Sequence, residues 1–239
     1  MGYAAKEIRR LTGKAIHAGN MLEAGDRVLV AVSGGKDSLS LLWLLRERLR
    51  RIPIEYELTA VHVDPGFGAD SAGRMAGFFE NHGFAYRVIR GDFGPLAHGP
   101  VNLENPCFLC SRMRRKALFE AAEDLGCSKI AFGHHKDDVI ETLLLNLFYG
   151  GSISTIIPVQ RFFNGKITAI RPLYLVGEEL VDRFAREMGW PGIELGCPTA
   201  GKSKRGEIKE MLGRLYRNNP KVRGNIFHAL RNVRRDYLP

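Results

Sequence analysis

No stretch of this 239-residue chain approaches the roughly eighteen uninterrupted apolar residues that a membrane span requires. Its opening residues, Met1-Gly2-Tyr3-Ala4-Ala5-Lys6, lack the apolar core of a secretion signal. Both absences point to a cytoplasmic protein with no membrane partner. Cysteine is scarce, with 4 residues, which favours thiols or metal ligands over a disulfide framework. One C-x-x-C pair is present where a structural zinc ribbon needs two. The Gly-x-x-x-x-Gly-Lys-Ser/Thr spacing of the common P-loop is also missing.

What is present suffices for one large core, with 45% hydrophobic and 26% charged residues. We expect residues 1–24 to form an N-terminal helix, 25–195 an α/β domain and 196–239 a basic helical extension. The net charge of +9 is concentrated at the end. From Lys202 onward, eleven basic residues face three acidic ones, which accounts for +8 of it. Such a concentration fits a polyanion footprint and equally a solvated helical face. Beside a nucleotide site, RNA is the more economical partner.

The organising stretch is Val28 to Val32, then Ser33-Gly34-Gly35-Lys36-Asp37-Ser38, then apolar positions 41, 42, 45 and 49. This is a strand, a tight turn and the start of a helix. Gly34 and Gly35 let a ligand approach the backbone. The first N–H groups of the helix, with Ser33, Lys36 and Ser38, suit phosphate.

Around it, periodicity predicts a helix over 3–23, strands over 27–32, 58–64, 85–90 and 129–132, and helices over 38–50 and 70–82. Asp64, at the carboxyl end of the second strand, is placed to meet the ribose or adenine of a nucleotide. His62 within that strand reads as packed. Residues 91–106 carry three Gly and three Pro and read as a mobile loop near the site.

Cys107-Phe108-Leu109-Cys110-Ser111-Arg112-Met113-Arg114-Arg115 follows Pro106, so both cysteines fall at the start of a helix. There the helix dipole and the arginines favour thiolate. Such a pair chelates a metal, ligates an iron–sulfur cluster or cycles as a dithiol. Cys127 reads as core packing, whereas Cys197 lies in a Gly- and Pro-bounded loop that can present a ligand. Gly133-His134-His135-Lys136-Asp137-Asp138 leads from a strand into a helix. Asp37, Asp137 and Asp138 suit Mg²⁺, His134 suits a phosphate oxygen, and helix capping is the other role for Asp137.

The Ser33–Ser38 string resembles the PP-loop of the ATP pyrophosphatases, which cleave ATP between its α and β phosphates. Further matches are Glu141-Thr142-x-x-x-Asn146-x-Phe148-Tyr149-Gly150-Gly151 and Ile170-Arg171-Pro172-Leu173. Together with the cysteine and histidine stretches, they make nearly the whole chain resemble the tRNA 2-thiocytidine biosynthesis family. That resemblance implies a doubly wound, five-stranded parallel sheet with short helical N- and C-terminal extensions. It also implies ATP and Mg²⁺ on Ser33, Gly34, Gly35, Lys36, Asp37, Ser38, Asp64 and Gly133, and a [4Fe-4S] cluster on Cys107, Cys110 and Cys197. The catalytic set is Lys36, Asp37, His134 and Asp138. Arg112, Arg114, Arg115, Lys202, Lys204 and Arg205 are expected to hold RNA. The implied reaction adenylates a tRNA cytidine, position 32 of the anticodon loop, and replaces its C2 oxygen by sulfur. Sulfur would come from a cysteine desulfurase or another donor, and the family suggests a homodimer.

The chain departs from the family after Cys197, where Pro198-Thr199-Ala200 stands in place of a second C-x-x-C. Three rival functions share parts of the pattern: a 2-thiouridine thiolase, a lysidine-synthetase-like enzyme, and a non-catalytic ATP- or cluster-binding regulator. The first lacks its terminal zinc-binding cysteines here. The second has no use for three cysteines. The third would release no pyrophosphate in response to tRNA.

Overall fold

The computed structural model describes all residues except Met1, Ala69, Val101, Leu103, Glu104, Pro191, Glu194, Leu195, Ala200, Lys202, Leu238 and Pro239. Elements follow in chain order as α1 (Tyr3–Ala18), β1 (Arg27–Ala31), α2 (Lys36–Leu49), β2 (Glu57–Asp64), α3 (Ser71–Asn81) and β3 (Tyr86–Arg90). Next come α4 (Phe93–Ala97), α5 (Pro106–Asp124), β4 (Lys129–Ala131), α6 (Lys136–Gly150), β5 (Val159–Phe162) and β6 (Ile167–Ile170). The chain closes with α7 (Glu178–Glu187), α8 (Lys204–Asn218) and α9 (Lys221–Ala229).

Alternation along β1 explains the layers. Val28, Val30 and Val32 face a core shared with α1, α2, α3 and α7. Leu29 faces the opposite core with Val61, Val63, Ile130 and the α5 residues Leu118 and Ala122. Successive strand residues point to opposite sides, so a strand apolar on both sides must lie between two helical layers. A third, smaller core joins Ile140 of α6 to Ile208 and Leu212 of α8.

The sheet order is β3-β2-β1-β4-β6-β5. Five strands run parallel, and the doubly wound α/β expectation holds. The strand count needs correction: β5 adds a sixth strand, antiparallel to β6 at the edge. Between them Phe163, Asn164 and Gly165 all take positive φ, the tight reversal that makes a hairpin. Two boundaries also shift. Helix α1 stops at Ala18, because Gly19 and the left-handed Asn20 (φ 45°) turn the chain. The 91–106 segment contains α4, whose start is pinned by Gly94 N–H donating to the Pro65 carbonyl at 2.7 Å. His62 is fully buried, with Nδ1 at 2.8 Å from the Val32 carbonyl and Nε2 at 3.2 Å from Ser71 Oγ.

Candidate active site

Strands β1 and β4 are neighbours whose crossovers run in opposite directions, and in such sheets ligands bind outside the carboxyl ends of that pair. The Ser33–Ser38 turn leaves β1 there. Gly34 sits at φ +90°, and a Cβ on it would lie 3.0 Å from Ile193 Cβ. Ser38 Oγ donates to the Gly35 carbonyl at 2.9 Å and accepts the Ser33 N–H at 3.1 Å, so the loop is pinned across its mouth. No side chain caps α2, which leaves its first N–H groups for an anion.

The second wall comes from β4. A Cβ on Gly133 would lie 3.1 Å from the backbone of both Asp37 and Ser38, so any side chain there would press the two loops apart by a few tenths of an ångström. His135 caps α6, exchanging hydrogen bonds with Asp138 in a capping box. Burial drives His134 down to about 4 despite the nearby Asp138, so its ring is neutral. Its Nδ1 and Asp37 Oδ1 are buried without a hydrogen-bond partner among the described residues. Burial also pushes the Asp37 carboxyl up. One cavity of about 560 Å³ brings together Ser33, Asp37, Ser38, Gly133, His134 and Asp138.

Three expected residues point elsewhere. Lys36 Nζ lies 3.0 Å from Glu178, 3.2 Å from Asp182 and 3.6 Å from Asp37, outside the walls of that cavity. Burial opposes its charge, yet these carboxylates raise its pKa well above the lysine range. Asp64 accepts the N–H groups of Gly66 and Ala72 at 2.9 and 3.1 Å, closing the turn into α3. Asp137 accepts the Glu178 N–H at 2.8 Å and so caps α7 rather than α6.

The cysteines converge. Cys107 and Cys110 lie one turn apart on α5, and the N-cap Asn105 side chain accepts the Phe108 N–H. Thr199 Oγ1 lies 3.7 Å from Cys107 Sγ and 3.4 Å from Cys197 Sγ, so a single hydroxyl spans the two thiols. His98, from the segment after α4, holds that hydroxyl at 3.1 Å. Cys110 is close enough to both other thiols to feel their charge. Among the described residues no three His, Cys, Asp or Glu side chains stand at the spacing for a single metal ion. The expected thiolate at Cys110 needs correction: burial pushes its thiol up, and the other cysteines reinforce that against Arg114. Cys127 is buried in the α5 core.

The same cavity reaches this helix through Ser111, Arg114 and Arg115. Arg114 is half-buried, and desolvation lowers its pKa; its Nε lacks a hydrogen-bond partner among the described residues. Arg112 and Arg115 are exposed. Lys204 is exposed over the Tyr149 ring at 4.3 Å. Arg205 instead reaches inward, 3.1 Å from Asp138 and 3.5 Å from Glu141. Lys202 lies outside the described residues.

The PP-loop domain family matches residues 5–194. The tRNA-cytidine(32) 2-sulfurtransferase of Syntrophotalea carbinolica is 42% identical over 236 residues, covering 98% of this chain and 91% of that protein. The chain belongs to the tRNA-cytidine(32) 2-sulfurtransferase family. A further 2-sulfurtransferase, from Geobacter sulfurreducens, is 38% identical over 98% of this chain and 92% of its own length. Among solved structures, the U34-tRNA thiolase of Methanococcus maripaludis with its [4Fe-4S] cluster superposes with a TM-score of 0.79 at 26% identity. It covers 96% of this chain and 78% of that one.

Four residues in or near this region, two of them within matched stretches, were given no role from the sequence of this 2-sulfurtransferase family member. Glu178 and Asp182 surround Lys36, and nothing in a surface-helix pattern marked them. Burial pushes the Glu141 carboxyl up to about 7, although Arg205 opposes this. Arg171, 8% exposed, donates to the Ile157 carbonyl at 2.6 Å and to Gln160 Oε1 at 3.3 Å. An arginine inside an apolar strand end, Ile170-Arg171-Pro172, was the available signal.

Proposed function

We propose that this protein adenylates O2 of a tRNA cytidine and replaces it with sulfur. The observation that carries this reading is the single cavity walled both by the Ser33–Ser38 turn and by Ser111 and Arg114 of the cysteine helix. The phosphates of ATP rest on the Ser33–Ser38 turn and the N-terminus of α2. Asp37 and Asp138 would hold Mg²⁺; Asp37 Oδ1 is buried without a hydrogen bond, with the Lys36 ammonium no closer than 3.6 Å, which fits a cation that would screen phosphate charge.

The cytidine O2 attacks the α-phosphorus as the bond to pyrophosphate breaks. Neutral His134 and the N–H groups of the turn donate to the oxygens on which charge grows. Sulfide then attacks C2, the C2–O bond breaks, AMP leaves with that oxygen, and the sulfur loses its proton. Cys107, Cys110 and Cys197 would hold a [4Fe-4S] cluster, which would supply sulfide to the site when bound. A cysteine desulfurase or another donor resupplies the sulfur. Arg112 and Arg115 hold tRNA phosphates beside the cavity mouth.

The test is mass spectrometry of tRNA nucleosides from cells with and without the gene. Loss of 2-thiocytidine is expected, and an unchanged profile would overturn the assignment. Anaerobically purified protein should be brown and lose iron on Cys197→Ser, a result read by absorbance and iron analysis without any turnover.

A further inference from the structure

We infer that Asn146 and Gln160 read the base-pairing edge of the substrate cytosine at the far end of the catalytic cavity. This rests on the reading above, that a tRNA cytidine is the base that reacts. The cavity runs from Val61 and Val63 beside the Ser33–Ser38 turn, past His134, to an end walled by Asn146, Gln160 and the rings of Phe132 and Phe162. Nothing in the adenylation chemistry uses Asn146 or Gln160.

Bonding elsewhere fixes what each amide offers. Asn146 Nδ2 donates to the Ser154 carbonyl at 2.9 Å and lies 3.0 Å from Ser154 Oγ. Both of its donors are thus engaged, and Oδ1 is left as an acceptor. Arg171 can only donate, so the Gln160 atom 3.3 Å from its guanidinium must be Oε1. The Gln160 NH₂ is therefore turned away from Arg171 as a donor. Arg171 is itself buried and also holds the Ile157 carbonyl. Asn146 and Arg171 consequently anchor opposite ends of one loop, 154–157, which also contributes Thr155 and Ile156 to the cavity wall, and Gln160 is held beside it through Arg171.

A fixed acceptor and a fixed donor match cytosine. Its N4 amino group donates and its N3 accepts, whereas uracil carries an acceptor at O4 and a donor at N3. Uracil would place like groups against both amides and leave them unpaired, the arrangement by which polar sites discriminate most strongly. Phe132 and Phe162 supply apolar faces on which an extruded base can stack. Adenine presents the same donor–acceptor order, so ATP is the competing occupant of this end. Its base is better served at the Val61 and Val63 end, beside the turn that holds its phosphates.

Gln160→Glu is the discriminating variant, since a carboxylate keeps a partner in Arg171 while replacing the donor with an acceptor. Gln160→Met, of similar length, removes the donor without adding charge. Full-length protein is titrated with two anticodon stem-loop RNAs differing only in C or U at nucleotide 32, in the presence of α,β-methylene-ATP. Affinity for that nucleotide alone is measured separately. Wild type should prefer the C-bearing RNA by about tenfold or more. Both variants should lose most of that preference, with nucleotide affinity changed less than about twofold and thermal melting retained. Retained preference in both variants overturns the inference. So does a matching fall in nucleotide affinity, which would assign the amides to adenine. A wild-type enzyme that forms 2-thiocytidine without preferring C overturns the inference alone, whereas one that neither forms it nor prefers C overturns the functional reading as well.

Discussion

At the scale of single residues, Gly133 sets how closely the two loops of the site approach. Adding a methyl there drives it against the backbone of Asp37 and Ser38, neither of which can rotate away. Gly133→Ala should cost about 1–3 kcal/mol of stability and weaken ATP binding more than tRNA binding, as read by urea unfolding and calorimetry. Glu141 gives a pH dependence of known sign. Its folded pKa of about 7 lies above its unfolded value, so the folded state holds the extra proton between the two. The stability this contributes is complete below the unfolded pKa and disappears as pH rises through about 7. Glu141→Gln should therefore gain on wild type as pH rises from about 5 to about 8, by on the order of 1 kcal/mol once solvent screening is allowed for; denaturant midpoints at several pH values check this. His134 acts in the opposite direction. Its folded value of about 4 means that its contribution is complete above the unfolded value of 6.5 and is lost as pH falls between the two. Sequence placed His134 and Asp138 at the site because strand-to-helix loops are visible in pattern. The partners of Lys36 were not legible, because Glu178 and Asp182 lie about 140 residues away and contacts of that range leave no local trace.

At the scale of elements, α8 and α9 are sewn onto the acidic ends of α6 and α7. Arg205 meets Asp138 and Glu141, Lys209 meets Glu178 at 2.6 Å, and Arg223 Nε lies 2.9 Å from Asp137 in an ion pair without hydrogen-bond geometry. Burial pushes the Glu178 carboxyl up, but the ammonium groups of Lys209 and Lys36 hold it at about 2. The Asp137 side chain is only 6% exposed, so Arg223→Ala strands a buried carboxylate. A loss of about 3 kcal/mol in urea unfolding is expected, together with loosening of α7, whose first turn Asp137 caps. Among the strands, β1 to β4 were legible from their apolar runs, and β5 and β6 were not. Val159–Phe162 is a short, half-buried edge with no clear alternation. Its hairpin was nevertheless written in Asn164-Gly165, a pair suited to positive φ. The short α4 was hidden because a glycine and a proline break up its five residues while tertiary contacts fold it.

For the whole molecule, the charge of the C-terminal extension divides in two. Arg205, Lys209 and Arg223 are occupied by the protein's own carboxylates, so the excess read from the sequence overstates what RNA can meet. Arg112, exposed on the cysteine helix, has the opposite character. Arg112→Ala should lower the slope of log affinity for tRNA against log salt by about one. Arg205→Ala should leave that slope nearly unchanged while weakening Mg-ATP binding; filter binding across a salt series separates the two.

Thr199 ties the thiols to a distant part of the chain, because the hydroxyl between Cys107 and Cys197 is also grasped by His98. Anything that tugs on the segment after α4 is therefore felt at the sulfurs. A protease cut near residue 100 should loosen the thiols' hold on bound iron before the protein melts, as followed by absorbance.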